Sequence, residues 1–275
     1  MGTAARPAGN LQSPMMRHHT PRRRALTAIA ILCLLTHPVA AQDAAVVGVP
    51  NIEARASGGD LWGALRAYRE LLRARPVDYQ ALCNAARIGV DLGEFETNAS
   101  RKDSLYAEAL RYARRAAELE PTQAEAHFHI ARALGHTALG ASPRERVRLA
   151  VEVKERAERA LRYAPDHAGA LHIVGVWNAE VMRLNGIART MARTFLGGSA
   201  LADASWSEAI RALERAVALE PQRIVHRLDL ALIYRDAGRR NDARAQLDRV
   251  VQSPPADYND PQYLRAAADA RARLR

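Results

Sequence analysis

Two stretches of this 275-residue chain, "RRAAELEPTQAEAHFHIARALG" (residues 114–135) and "ERAVALEPQRIVHRLDLALIYRDAG" (residues 214–238), follow the same plan. In each, an alanine-rich run ends in Leu-Glu-Pro and is followed by an apolar run that carries histidine and arginine. Proline rarely continues a helix, because it lacks a backbone N–H. Each stretch therefore predicts two helices joined by a short turn, and their recurrence indicates a structural repeat.

The prolines that end such phrases set the spacing of the repeat. Five occur in register, at Pro76, Pro121, Pro165, Pro221 and Pro255, with steps of 45, 44, 56 and 34 residues. A step of about 34 residues is the period of the tetratricopeptide unit, and the longer steps leave room for insertions. Alanine predominates five and twelve positions before these prolines, where a small side chain lets two helices approach closely. The pattern predicts an all-α fold, a tetratricopeptide-like right-handed α-solenoid of stacked antiparallel helix pairs.

Local signals predict the helix boundaries. We expect helix pairs over 61–92, 105–136, 143–184 and 206–237, closing helices over 240–252 and 261–274, and a polar loop over 93–104. Three capping boxes, in which serine or threonine precedes glutamate by three residues, indicate helix starts at Thr122, Ser142 and Ser205. The last helix is expected to cap the stack.

The N-terminal residues have the three-part layout of a secretory signal. A basic run, "RHHTPRRR" (17–24), precedes an apolar run, "ALTAIAILCLL" (25–35), and small residues follow. A mitochondrial transit peptide would be amphipathic rather than uniformly apolar. We therefore predict a signal peptide over 1–41, a flexible segment over 42–60 and a helical repeat domain over 61–275, in an exported protein that is periplasmic or secreted. The alternative is an uncleaved leader that anchors the chain in a membrane.

Charge and cysteine content limit the function classes. The chain has 40 Lys and Arg against 30 Asp and Glu, a net charge of +10, and residues 1–41 supply five of the arginines and no acid. Residues 42–275 have a net charge of +5, and their basic side chains alternate with glutamates instead of forming a basic patch. We therefore expect no nucleic-acid partner. Without the leader, Cys83 has no other cysteine to pair with. We expect it to be a small buried side chain.

The segment "ALHIVGVWNAEVMRLNGIARTMARTFLGG" (170–198) contains the pattern Gly175-x-Trp177-x-x-Glu180-Val181-x-x-Leu184. A helix with this pattern resembles one in the regulator of microtubule dynamics family. The resemblance of the chain to that family covers about residues 57–270 and is most specific over 168–196. The resemblance implies a tetratricopeptide-like protein without established enzymatic activity or defined catalytic residues. It also implies tethering or scaffolding roles, since eukaryotic members are held at membranes by an N-terminal hydrophobic segment. This chain differs in its signal-like leader and in lacking a long linker or coiled coil.

One face of the helix after each proline points away from its packing face and, in stacked repeats, lines a concave groove. We predict a ligand-binding groove formed by seven residues on this face: Arg87, Phe128, Arg132, His136, His172, Leu232 and Arg235. Arg87 and Arg132 occupy equivalent positions in adjacent repeats, so stacking would bring together two like charges that favour a shared anion. The expected partner is a protein or peptide that is acidic or bears a carboxylate. Alternatively, each arginine pairs with a local acid such as Asp91 or Glu125.

Patterns typical of catalysis and metal binding do not occur in the sequence. His127, His129 and His136 are separated by steps of two and seven residues rather than the four-residue step of a helical zinc pair. No nucleophile elbow, phosphate-binding loop or metalloprotease motif is found. We therefore expect no catalytic residue, no metal and no cofactor, and predict that the protein is not an enzyme. A competing hypothesis is an enzymatic site around His136, His172 and Glu180, although Glu180 is more simply a buried structural acid paired with an arginine.

Together these features predict a non-enzymatic protein-interaction scaffold that presents a concave peptide-binding groove in an exported compartment. The alternative function is a membrane-anchored tether. It would use the uncleaved leader together with the amphipathic insert 185–200, in which Met191 and Phe195 are interspersed with arginines. Such a segment suits peripheral contact with a membrane, or it packs over the neighbouring repeat as most amphipathic helices do.

Overall fold

A computed structural model describes residues 48–184, 190 and 201–274, and it confirms the predicted all-α fold. Eleven helices and no strand occur within these residues. In chain order they are α1 (Val49–Ser57), α2 (Leu61–Ala74), α3 (Tyr79–Glu94), α4 (Ala99–Leu119), α5 (Ala124–Gly140), α6 (Pro143–Tyr163), α7 (Ala168–Arg183), α8 (Trp206–Leu219), α9 (Ile224–Asp236), α10 (Arg240–Gln252) and α11 (Asp260–Arg273).

The recurring proline ends the first helix of each turn as the sequence predicts. The C-terminal cap residues of α2, α4, α6 and α8 are Arg75, Glu120, Ala164 and Glu220, and a proline follows each directly. Each cap residue still donates its backbone N–H to the carbonyl four residues earlier. The proline after it has no N–H to donate, so the helix stops. The next helix begins three residues beyond the proline in all four cases.

Small residues allow the helices to pack closely at the predicted positions. Ala64, Ala109, Ala209 and Ala243 are fully buried. At Gly175 a Cβ atom would lie 2.7 Å from Leu213 Cγ, so α7 and α8 approach more closely than a side chain would permit. Cys83 is 1% exposed, as predicted, and burial raises the pKa of its thiol to about 12.

Two segments are more ordered than the sequence patterns suggest. Part of the segment predicted to be flexible, 42–60, forms helix α1, and its Ile52 is completely buried against the core that α2 and α3 share. Likewise α4 begins at Ala99, inside the predicted loop 93–104. Asn98 caps it, with Oδ1 accepting from the backbone N–H of Arg101 at 2.9 Å. The polar composition of this stretch belongs to the first turns of a helix whose exposed face is polar.

The three predicted capping boxes have different outcomes. Ser205 caps α8, and its hydroxyl accepts from the backbone N–H of Glu208 at 3.1 Å. Ser142 occupies the cap position of α6 but makes no side-chain capping bond. At α5 the cap residue is Gln123 rather than Thr122, again without a side-chain bond. The predicted capping box is therefore confirmed at Ser205. At Ser142 the helix start is correct but the capping bond is missing, and at Thr122 the prediction is wrong.

The C-terminal helix caps the stack and also reaches back to its beginning. Helix α11 packs on α9 and α10. Asn259, at its start, donates Nδ2 to the backbone carbonyl of Asp91 at 3.0 Å, and the Tyr263 hydroxyl donates to Glu94 Oε1 at 2.7 Å. We call these two side chains and their acceptors the clasp. Because it joins the last helix to α3, the concave side of the solenoid is a partly enclosed cavity rather than an open groove.

The segments assigned to the leader (1–41) and nearly all of the insert (185–200) lie outside the described residues. Among the helices that are described, none combines the length and apolar character needed to cross a membrane.

Candidate functional site

The inner faces of α3, α5, α7 and α9 line a cavity of about 1420 Å³. These are the helices that follow the recurring prolines, so the cavity is formed by the face that the sequence predicts to be concave. Five of the seven predicted groove residues lie on its wall: Arg87, Phe128, Arg132, His136 and His172. Residues 56–59 and Leu61, and the segment 255–261 that contains Asn259 of the clasp, also line the cavity.

Leu232 and Arg235 lie outside this wall. Leu232 packs, partly buried, against the hydrophobic core of the C-terminal repeats. Arg235 forms an ion pair with the adjacent Asp236 at 2.7 Å. The rotation of α9 relative to the preceding repeats directs Asp229, rather than these two residues, into the cavity.

Arg87 and Arg132 lie on either side of a shared carboxylate, Asp91. Arg132 Nη2 lies 2.6 Å from Asp91 Oδ1 and 3.8 Å from Glu94 Oε2. Arg87 lies 2.5 Å from Glu53 and 3.5 Å from the other oxygen of Asp91. The prediction of two arginines without a counter-charge is therefore wrong, and the alternative of local ion pairs holds for Asp91. Burial opposes ionisation of Asp91, but Arg132 and Arg87 outweigh it and hold the pKa of this carboxyl below its usual range.

Glu94 has a different environment, although it lies one turn from Asp91. Its Oε1 accepts the Tyr263 hydroxyl, a neutral donor, and Arg132 is 3.8 Å from Oε2. Burial raises the pKa of Glu94 despite these two partners. The clasp therefore places a partly buried carboxylate beside the cavity with only partial charge compensation.

A second carboxylate, Glu125, lies between two imidazoles. Its oxygens are 2.9 Å from His129 Nε2 and 3.0 Å from His167 Nε2. His167 also caps α7, because its Nδ1 accepts the backbone N–H of Ala170 at 3.2 Å. Its hydrogen must then be on Nε2, so a neutral His167 donates to Glu125. The Phe128 ring packs against His167 with centroids 4.8 Å apart, which places an aromatic face next to the carboxylate.

Two further histidines join α7 to α9 across the cavity. His172 Nε2 lies 3.2 Å from Asp229, its Nδ1 lies 2.8 Å from His226 Nδ1, and His226 Nε2 lies 3.2 Å from Glu220. Burial lowers the pKa of His226 to about 4, so this ring is neutral at pH 7. It donates to Glu220 and accepts from His172.

His136 lies within the same wall. Its Nδ1 is 3.4 Å from the Tyr106 hydroxyl. Burial and the nearby Arg132 lower the pKa of His136 to about 3. The ring is therefore a neutral polar element of the cavity at physiological pH.

The motif helix α7 contributes mainly structure. Trp177 is buried and donates Nε1 to the backbone carbonyl of Ala150 at 2.8 Å. Glu180 pairs with Arg183 at 2.5 Å, as expected, but its side chain is 55% exposed rather than buried. Arg183 in turn pairs with Asp236 at 2.6 Å, which ties α7 to α9.

Within the described residues, no hydrogen bond or ion pair joins His136, His172 and Glu180, the three residues of the alternative enzymatic site. His172 faces Asp229 and His226, while Glu180 faces Arg183. In the part of the chain that the structure describes, no group of three or more His, Cys, Asp or Glu side chains is placed to hold a metal ion.

Sequence reasoning identified Asp91 and Glu125 as acids near the predicted arginines but missed most other acidic members of the cavity wall. The spacing of Asp91 four residues after Arg87 was visible as a helical ion pair. No comparable signal relates Glu94 to Tyr263, or His226 to His172, because 169 and 54 residues separate the partners. The described lining holds nine carboxylates and four arginines, a net charge of −5 when only Asp, Glu and Arg are counted. The carboxylates are Glu53, Asp91, Glu94, Glu125, Glu180, Glu220, Asp229, Asp257 and Asp260, and the arginines are Arg87, Arg132, Arg146 and Arg223.

Comparison with known proteins gives one family. The family model described as regulator of microtubule dynamics protein 1-3 matches residues 52–275. Regulator of microtubule dynamics protein 1 from Bos taurus is 26% identical over 145 residues, which cover 52% of this chain and 45% of the relative. The Mus musculus protein is 23% identical over 206 residues, covering 71% of this chain and 65% of the relative. The matched region thus spans about half to two thirds of the length of these relatives.

The fold is shared with a solved tetratricopeptide structure. The crystal structure of a thermophilic TPR protein from Thermus thermophilus superposes with a TM-score of 0.58 at 19% sequence identity. The alignment covers 79% of this chain and 95% of that one. At this level of identity, the likeness shows the tetratricopeptide architecture and says nothing about the ligand.

Proposed function

The chain belongs to the regulator of microtubule dynamics family, and from that premise we propose that it is a non-enzymatic scaffold that holds an extended segment of a partner protein in its concave cavity. Tetratricopeptide stacks present extended concave binding surfaces, because each repeat adds one helix to a continuous inner face. The fold therefore supports a role in protein interaction. We place the binding site in the concave cavity.

The cavity itself carries this proposal. Its volume of about 1420 Å³ exceeds the range of about 300–1,000 Å³ typical of small-molecule sites. Its wall alternates apolar contacts, such as Phe128 and Val176, with polar groups on successive helices. A short stretch of polypeptide with mixed side chains suits such a surface better than a compact metabolite does.

Site-specific photo-crosslinking tests where the partner binds. A photoreactive phenylalanine analogue would replace Phe128 on the cavity wall and, as a matched control, the exposed Val251 on α10 outside it. We expect a discrete crosslinked adduct in the native cell from the Phe128 position and none from Val251. Adducts from Val251 alone, or from neither position, would contradict binding in the cavity. Circular dichroism of both variants controls for folding.

We further propose that residues 1–41 are removed on export. The support is the basic run followed by the apolar run 25–35, which is too short to cross a hydrocarbon core of about 30 Å as a helix. N-terminal sequencing of the natural protein should find a start at or near Gln42. An intact leader on a membrane-bound protein would instead favour the anchored tether, with the insert 185–200 as its second contact.

A further inference from the structure

The charge of the chain is divided between the cavity and the rest of the molecule. The described cavity lining has nine acids against four arginines. The remainder of residues 42–275 contains 31 Lys and Arg against 21 Asp and Glu. The protein outside the leader is thus basic on the whole but acidic within its concave side. A cleft lined by one sign of charge concentrates the field of that sign.

Arg132 is held by acids of the fold, whereas Arg146, Arg223 and several of the cavity acids are exposed. The Arg132 side chain is 16% exposed and is held by Asp91 and Glu94. By contrast, Glu125 is 47% exposed and Glu180 is 55% exposed. A ligand that enters the cavity therefore meets accessible groups of both signs, with carboxylates in excess because nine acids and four arginines line the wall.

Six of the nine acids pair with an arginine, whereas Glu125 and Asp229 pair with imidazoles and Asp260 with backbone N–H groups. Glu125 accepts from imidazoles and Glu94 from the Tyr263 hydroxyl, while Asp260 accepts from the backbone N–H groups of Ala256 and Asp257 at 2.8 Å. A neutral donor satisfies a carboxylate as a hydrogen-bond acceptor without cancelling its charge.

One buried acceptor on the cavity wall also needs a donor. Asn259 is 5% exposed and uses its Nδ2 in the clasp. Its Oδ1 has no hydrogen-bond partner in the described part of the chain. An unsatisfied buried acceptor is unfavourable and is relieved by an N–H donor from a ligand. Such an acceptor takes any N–H donor, whether the donor is charged or neutral.

We propose that the segment held in the cavity is basic, with arginine or lysine side chains directed at Glu125 and Glu180. The proposal rests on the proposed function and specifies the chemistry of its partner, which is opposite in charge to the acidic ligand expected from the sequence. At Glu125 the adjacent Phe128 ring offers the aromatic face on which a guanidinium group stacks. The nine acids of the lining come from several helices, which suits an extended chain with several cations rather than a single small amine.

The test uses the full-length protein and three fluorescent eight-residue peptides, in which leucine alternates with arginine, glutamate or glutamine. Fluorescence anisotropy at low salt should show the arginine peptide binding most tightly, although the outer surface of the protein repels it. Affinity should fall as salt rises, because the interaction is between screened charges. Spermine is included as a small polyamine.

Two isosteric variants with equal loss of charge locate the contact. Glu125→Gln combined with Glu180→Gln changes the cavity, and Glu118→Gln combined with Glu155→Gln changes exposed positions outside it. The cavity variant should weaken arginine-peptide binding about tenfold and the control variant less than twofold, since a tenfold change corresponds to about 1.4 kcal/mol and two exposed ion pairs supply that much. Circular dichroism and urea unfolding confirm that both variants fold.

The possible outcomes separate this proposal from the proposed function. The glutamate or glutamine peptide could instead bind more tightly than the arginine peptide and lose this binding in the cavity variant. That result would contradict a basic ligand but would still support a scaffold that binds its partner in the cavity. Equal losses in the two variants, or cavity-dependent binding of spermine without the peptide, would overturn the basic ligand as well. If no peptide binds and the Phe128 crosslinker captures nothing, both proposals fail.

Discussion

Replacing Arg132 by alanine should destabilise the protein far more than the equivalent replacement of Arg87. Arg132 is 16% exposed, and the carboxylates around it, Asp91 and Glu94, are 17% and 18% exposed. Removing one partner of a buried ion pair costs about 3–5 kcal/mol, because the remaining charge keeps its desolvation cost. Arg87 still lies 3.5 Å from Asp91 and offsets part of this cost, so we expect about 3 kcal/mol.

Arg87 is the control, because its replacement by alanine should lower the free energy of unfolding much less. Arg87 and its partner Glu53 are 32% and 33% exposed, and such partly hydrated pairs contribute about 0–1 kcal/mol. Urea unfolding at pH 7, followed by circular dichroism, gives the free energy of unfolding of each variant. The deficit of Arg132→Ala should shrink as the pH falls, because protonation of the abandoned carboxylates removes their repulsion.

A double variant provides the decisive control. Adding Asp91→Asn to Arg132→Ala removes the buried charge that the first change leaves behind, so the double variant should be more stable than Arg132→Ala alone. If Arg132→Ala costs no more than Arg87→Ala, or if Asp91→Asn adds to the loss, the buried-pair reasoning is wrong. In that case the arginines would be solvated after all and free for a ligand.

Three further predictions concern stability and can be measured by urea unfolding. Tyr263→Phe should cost about 1.5–3 kcal/mol, since it removes a hydroxyl bonded to the clasp carboxylate, whereas Tyr258→Phe, at an exposed position, should cost nothing measurable. His226 has a folded pKa of about 4, below the ordinary 6.5, so the unfolded state binds more protons between these values. Stability should therefore fall by about 3 kcal/mol as the pH drops from 6.5 to 4, and an unchanged pH profile in His226→Gln would contradict this assignment. Ser205→Ala should cost about 1 kcal/mol and Ser142→Ala nothing, because the latter makes no capping bond; equal costs would refute the capping argument.

The architecture was predictable because its signals are local. A proline that ends a helix and an alanine that admits a neighbour act through groups within a turn or two of each other. The pairs expected over 143–184 and 206–237 accordingly match α6 with α7 and α8 with α9. The start of α4 was misplaced because the polar composition of 93–104 was taken for a loop, and α1 was missed although its Ile52 and Ala56 are buried.

The cavity wall was predictable only in part. Helical spacing identified Arg87, Phe128 and Arg132 as members of the concave face, since the period of a helix is a property of the sequence. The same reasoning failed at Leu232 and Arg235, because the rotation of α9 depends on how it packs against its neighbours. A face assigned by spacing holds only while each repeat keeps the same orientation.

By itself, the sequence determined that this protein is a stack of helix pairs, which residues those pairs bury against each other, and that two arginines occupy equivalent places in adjacent repeats. The tertiary structure decided which charged side chains line the cavity. Asp91 reaches Arg132 across 41 residues of chain, and Tyr263 reaches Glu94 across 169. Coulomb interactions depend on distance in space rather than along the chain. Which charges cancel, and which remain exposed in the cavity, is therefore settled only once the solenoid has closed on itself.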